Sequence, residues 1–130
     1  MRKMKRFAYM ILSLMLLSSC SAPYEPMNSY RQISMDEAVE MMKKEQGYII
    51  LDVRRPDKYA EGHIPGAINI PNESIGSSEI AQLPTKTQLI LVYCRSGRRS
   101  KEAAEKLVKL GYTNIVEFGG ILDWKGDIER

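Results

Sequence analysis

The sequence predicts a single α/β domain, a mostly parallel sheet with helices on both faces, and three observations carry that expectation. Two apolar runs, Tyr48-Ile-Ile-Leu-Asp-Val53 and Leu89-Ile-Leu-Val-Tyr93, are continuous rather than alternating, the pattern of strands buried on both faces. Segments with apolar residues at helical spacing alternate with strand-like runs along the chain, which calls for parallel pairing with crossover helices. The length of 130 residues, 44% hydrophobic and 27% charged, suits one well-buried core and not two. A two-domain enzyme, a disordered chain and a multi-span membrane protein are thereby excluded.

Taken in order, the chain opens with Arg2, Lys3, Lys5 and Arg6, followed by Phe7 to Leu17, an apolar run in which Ser13 alone is strongly polar. That run is short of the roughly 18 residues a spanning helix needs. Small residues Ser18 and Ser19 then precede Cys20, so residues 1–20 have the layout of a signal peptide. The Leu-Ser-Ser-Cys ending resembles the lipobox of bacterial lipoproteins. The resemblance implies that Cys20 is lipidated and that the domain is exported and membrane-anchored at the bacterial cell envelope, periplasmic or on the outer face. A plain secretory signal or an uncleaved anchor is the alternative. Residues 21–30 hold two prolines and no apolar period, which reads as a flexible tether that reaches about 35 Å when stretched. The domain proper is 31–130.

Tyr30 to Ile33 reads as a short first strand. Ser34-Met-Asp-Glu37 is a capping box, and Met35, Ala38, Val39 and Met42 form the apolar stripe of a helix stopped at Gly47. The strand 48–53 follows, then a short strand at Ala67 to Ile70. Pro71 to Thr87 is polar and reads as a surface connection with a helix around Glu79 to Gln82. After the strand 89–93, Lys101 to Leu110 places Ala103, Ala104, Leu107 and Val108 on one helical face, with Gly111 as its stop. Ile115-Val-Glu-Phe118 is the last strand, closed by Gly119-Gly120.

Charge offers no partner. The formal net charge is +3, but four of the 19 basic residues lie in the first twenty positions, where no acidic residue occurs. The remainder carries 15 basic against 16 acidic residues, which removes the case for nucleic-acid binding. With Cys20 assigned to a lipid, Cys94 is the one remaining thiol, so no internal disulfide can form and a reactive thiol is to be considered against an inert buried one.

Context favours reactivity. Sites in open parallel sheets form where strand ends lead into helices, and Cys94 follows the strand 89–93 directly. It opens the loop Cys94-Arg-Ser-Gly-Arg-Arg99, which runs into a helix beginning near Ser100. Loop amides and the positive end of that helix make an anion cradle, and arginines 95, 98 and 99 add potential that favours the thiolate. Gly97 permits the sharp turn.

Four motifs then agree in order and spacing over about 100 residues: Leu51-Asp-Val-Arg54, Tyr59 through Pro71 (YAEGHIPGAINIP), Cys94 through Ser100 (CRSGRRS), and Gly119-Gly-Ile-Leu-Asp-Trp124. Together they resemble the single-domain rhodanese family of sulfurtransferases. The resemblance implies Cys94 as a nucleophile that carries sulfur as a persulfide. It places the substrate-cradling loop at Arg95, Ser96, Gly97, Arg98 and Arg99, with no metal or organic cofactor. It further implies a central, mostly parallel five-stranded sheet, a small sulfur donor such as thiosulfate and a thiol or cyanide acceptor; the chain is expected to be a monomer. Lys58 departs from the glutamate often found there, which bears on local salt bridging and not on the loop.

Other residues are read more plainly. His63, between two glycines and a proline, suits a turn and a structural hydrogen bond better than a Cys–His pair. Asp52 ends a buried strand, where orienting the loop and purely structural bonding are both open. Trp124 is a packing residue, and one histidine without a second mature cysteine leaves little basis for zinc. Three rival functions remain: a non-catalytic binding module of the same fold at the envelope, a phosphatase or arsenate reductase, and thiol–disulfide exchange. The phosphatases resemble Cys-x5-Arg, one residue longer than the spacing from Cys94 to Arg99. Exchange lacks a resolving cysteine.

Overall fold

A computed structural model describes residues 29–130. The signal segment 1–20, Cys20 and residues 21–28 of the tether lie outside the described residues. Five strands, β1 (Arg31–Gln32), β2 (Ile49–Asp52), β3 (Ile68–Asn69), β4 (Ile90–Cys94) and β5 (Ile115–Gly120), form one sheet in the order β1-β5-β4-β2-β3. Each neighbouring pair runs parallel. β4 is central, and every one of its residues is buried, as its unbroken apolar run requires.

Strand side chains alternate between the two faces, and each face receives its own helix. Helix α1 (Met35–Lys44) starts at Ser34, whose hydroxyl accepts the Glu37 amide while the Glu37 carboxylate accepts the Ser34 amide. That reciprocal bonding holds the Glu37 carboxyl below its ordinary range. Ala38 packs from α1 with Ile50, Leu91, Tyr93, Val116 and Phe118. On the opposite face, helix α3 (Arg98–Lys109) lays Ala103, Ala104 and Leu107 against Leu51, Ile90, Val92 and Ile115.

Several elements differ from the sequence expectation. No helix forms around Glu79 to Gln82; a turn takes its place, with the Leu83 amide on the Ile80 carbonyl at 3.0 Å. Pro84 disfavours helical backbone at Leu83, which is instead fully buried as a plug on the core. That connection contributes a single 3-10 turn at Asn72–Ser74. A six-residue helix, α2 (Pro56–Glu61), begins with proline in its first turn and is too short to show a period. Helix α3 starts at Arg98 and not at Lys101, so two of the loop arginines belong to its first turn. β5 runs through Gly119 and Gly120, and its register against β4 shifts between Val92–Glu117 and Cys94–Gly120.

Candidate active site

Cys94 ends the central strand with its side chain only 2% exposed. Sγ accepts the Gly97 amide at 2.9 Å. Gly97 is the N-cap of α3, at φ +113°, where a side chain would be strained, and no side chain caps the helix. The thiol therefore sits where the first-turn amides and the positive end of α3 converge. Behind the loop, Gly120 passes so close that an added Cβ would lie 1.9 Å from the Arg95 carbonyl oxygen. The Leu122 amide bonds that same carbonyl at 3.2 Å, so the far end of β5 fixes the back of the loop.

The mouth is a shallow depression of about 280 Å3. Arg95, Ser96, Arg98 and Arg99 line it together with Cys94, while Gly97 lies beneath, on the thiol. Three further cations, Arg54, Arg55 and Lys58, were not singled out as site residues by the sequence reading. They reach the mouth because β2 lies beside β4, so the residues after Asp52 and those after Cys94 emerge from adjacent strand ends. Several of these cations have partners: Arg99 pairs with Glu73 at 3.1 Å, Arg55 with Asp57 at 3.0 Å and Lys58 with Glu61 at 3.7 Å. Among the described residues no salt bridge engages Arg95 or Arg98.

Asp52 is fully buried and its bonding is structural. Its carboxylate takes the Arg54 Nη2 at 2.7 Å, the Arg54 Nε, the Arg54 amide and the Tyr93 hydroxyl at 2.6 Å. Burial opposes the Arg54 charge, but the bonds to Asp52 outweigh it and hold the guanidinium proton more tightly than usual. Burial, and then the same carboxylate, push the Tyr93 phenol well up. This knot sets the start of the loop that delivers Arg54 and Arg55 to the mouth.

His63 stands apart from Cys94 and does not line the depression. It stacks on Tyr59 at 3.8 Å, its Nδ1 lies 2.9 Å from the Tyr59 carbonyl, and its Nε2 faces Glu129 at 3.3 Å. Trp124 packs on the α1 face and donates its indole N–H to the Asp127 carbonyl. Among the described residues no group of three or more His, Cys, Asp or Glu side chains could hold a metal ion.

Two more residues surround the thiol. Ser100, fully buried, places Oγ 3.4 Å from Cys94 Sγ, and Glu117, 2% exposed, places Oε2 2.5 Å from that hydroxyl. The available signal was a lone charge inside the strand Ile115-Val-Glu-Phe118.

Comparison with known proteins settles the family. The model of the rhodanese-like domain matches residues 34–127. The chain belongs to the rhodanese-like family. Thiosulfate sulfurtransferase PspE of Escherichia coli is 40% identical over 73 residues, 56% of this chain and 70% of that protein. Thiosulfate sulfurtransferase GlpE of Coxiella burnetii is 36% identical over 97 residues, 74% of this chain and 88% of that one. Among solved structures, a rhodanese with anions from E. coli superposes with a TM-score of 0.58 at 37% identity. It spans 64% of this chain and 98% of its own. The rhodanese-like fold is thus the five-stranded parallel sheet described above, and the sulfurtransferase family is the one to which the relatives of this chain belong.

Proposed function

We propose that this rhodanese-like domain is a sulfurtransferase that carries one sulfane sulfur as a persulfide on Cys94. The observation that carries the reading is the position of Sγ, on the Gly97 amide at the uncapped start of α3, beneath a mouth lined by six cations. A Cys94 thiolate attacks the outer sulfur of a donor such as thiosulfate, a new S–S bond forms, the donor S–S bond breaks, and sulfite leaves with the bonding electron pair. The loop amides hold the terminal sulfur anion until a thiol or cyanide attacks it and Sγ departs as thiolate. That the similar E. coli rhodanese was solved with anions is consistent with an anionic donor for this chain. Mass spectrometry tests the cycle: exposure to thiosulfate should add one sulfur atom to the domain, and cyanide should remove it. A domain that gains no sulfur from thiosulfate, polysulfide or a small persulfide leaves the binding-module reading in its place.

Loop size sets selectivity. Six residues from Cys94 to Arg99 make a ring of amides suited to one sulfur atom, whereas an in-line tetrahedral oxyanion needs a wider ring, so aryl phosphates should be poor substrates. The arginines attract anions over a distance, so kcat/KM for thiosulfate should fall as ionic strength rises. Arg98→Ala should lower that constant roughly two- to tenfold at low salt and flatten its salt dependence. Steady-state rates across a salt series decide it: a salt-independent wild type removes the steering argument, and phosphate hydrolysis rivalling sulfur transfer removes the loop-size argument.

Export and lipid attachment at Cys20 belong to the same proposal, supported by the basic start, the short apolar run and Leu-Ser-Ser-Cys. Fatty-acid labelling should disappear in Cys20→Ala; labelling that persists places the lipid elsewhere.

A further inference from the structure

The transfer steps leave one buried ionisable group without a task. Glu117 shares a face of β5 with Ile115, toward α3, and a carboxylate there is costly unless it is bonded. Its Oε2 takes two donors, the Ser100 hydroxyl at 2.5 Å and the Gly119 amide at 2.9 Å. The second of these falls within the register shift of β5 against β4, where Gly119 lies at φ +96°.

Ser100 is the link. Its oxygen lies 3.4 Å from Cys94 Sγ, 2.9 Å from the Gly97 carbonyl and 3.4 Å from the Gly119 carbonyl. A hydroxyl has one proton to donate and two lone pairs to accept with. While that proton is on the short bond to Glu117, a lone pair is free to accept the Cys94 S–H.

We propose that Cys94, Ser100 and Glu117 form a proton relay in which Glu117 stores the thiol proton while Cys94 acts as nucleophile. The proposal deepens the sulfur-transfer reading. The Cys94 S–H bond breaks and its proton passes to Ser100 Oγ, as the proton already on Ser100 passes to Glu117 Oε2. The result is a Cys94 thiolate, which accepts from Ser100 and from the Gly97 amide, and a neutral Glu117 carboxyl that donates back to Ser100. One negative charge has moved from oxygen to sulfur. Nothing is oxidised, and neither water nor a co-reactant takes part.

The surroundings favour that direction. On the sulfur side lie the start of α3 and the mouth, whose Arg95 and Arg98 have no carboxylate partner among the described residues. On the carboxylate side lie the Tyr30 phenol, next to β1, and Glu105 of α3. Burial first, then Glu105 and Glu117, push that phenol up. The start of α3 and the arginines at the mouth that carry no salt bridge, Arg95 and Arg98, stabilise charge placed on sulfur.

Two groups that share one proton titrate as a pair in two steps. The test is the pH profile of Cys94 alkylation by iodoacetamide, followed by mass spectrometry on the full chain carrying Cys20→Ala, so that Cys94 is the only thiol. It reads the proton alone and needs no sulfur transfer, so a chain that fails as a sulfurtransferase can still pass it. The wild-type rate should rise to an intermediate plateau spanning at least about two pH units, then rise again. Glu117→Gln should give a single transition that climbs to full reactivity without the plateau, because glutamine stands in for the neutral carboxyl, whereas Ser100→Ala should lower alkylation across the plateau about tenfold or more. A single-step wild-type profile overturns the relay. So does a Ser100→Ala chain alkylated as fast as wild type across the plateau, the mark of a hydroxyl outside the path of the proton. Circular dichroism establishes that each variant is folded. If Glu117→Gln is not, Ser100→Ala decides, because it cuts the chain of bonds while leaving both end groups in place.

Discussion

Replacing Cys94 by alanine is expected to reduce thiocyanate formation from thiosulfate and cyanide to the uncatalysed background, a loss of at least about 10,000-fold. The expectation rests on one atom. Sγ is the group that forms and breaks the covalent bond to sulfur in the proposed cycle, and no second thiol occurs among residues 21–130 to take its place. The cations of the mouth come from other residues, so the variant should still bind the donor, and the loss should fall on kcat with KM little changed. Alanine also fits the space, since Cys94 packs beside Ala103 and Ala104 in the core under α3. Turnover within tenfold of wild type would mean that sulfur passes by a route that bypasses Cys94.

The largest effect on stability is expected at Asp52. Removing its side chain in Asp52→Ala should cost about 3–5 kcal/mol, because breaking a buried ion pair from one side leaves the other charge without a partner. Arg54, 8% exposed, loses its carboxylate, and the fully buried Tyr93 hydroxyl loses the acceptor it holds at 2.6 Å. A domain of this size has only about 5–15 kcal/mol in total. The melting temperature should therefore drop on the order of 15 °C or more, read by thermal denaturation and confirmed by urea. Asp52→Asn keeps an acceptor for Tyr93 and should fall between the two. A cost under about 1 kcal/mol for the alanine variant would show that Arg54 turns out to water and finds its solvation there.

How far the sequence discloses this molecule depends on the range of the interactions concerned. The strands around Leu51 and Val92 are legible because burial on both faces demands unbroken apolar runs, and α1 is legible because its capping box and stripe are local. Cys94 is legible for the same reason, since a strand, a glycine turn and a helix start lie within seven residues. Short elements set by a neighbour escape: α2 by its length, and the stretch around Leu83 because the core pins one side chain there and forbids the helix its composition suggests. Arg54, Arg55 and Lys58 join the site through the adjacency of β2 and β4, which the order of residues along the chain does not state. Glu117 is conspicuous as a charge in an apolar strand, but its contact with Ser100 depends on the register of β5 against β4, a property of two strands together.

The contact between Gly120 and the Arg95 carbonyl has a consequence for how the site meets its substrate. Because the back wall of the loop is peptide pressed on peptide, it has no rotamers to choose among, and a donor arriving at Cys94 has no side chains to freeze there. The cradle is paid for when the chain folds and not when the substrate binds. Arg95 and Arg98, exposed and without a salt bridge among the described residues, keep their rotamers, so conformational freedom is confined to groups that meet the donor first, above a seat whose back wall has none to lose.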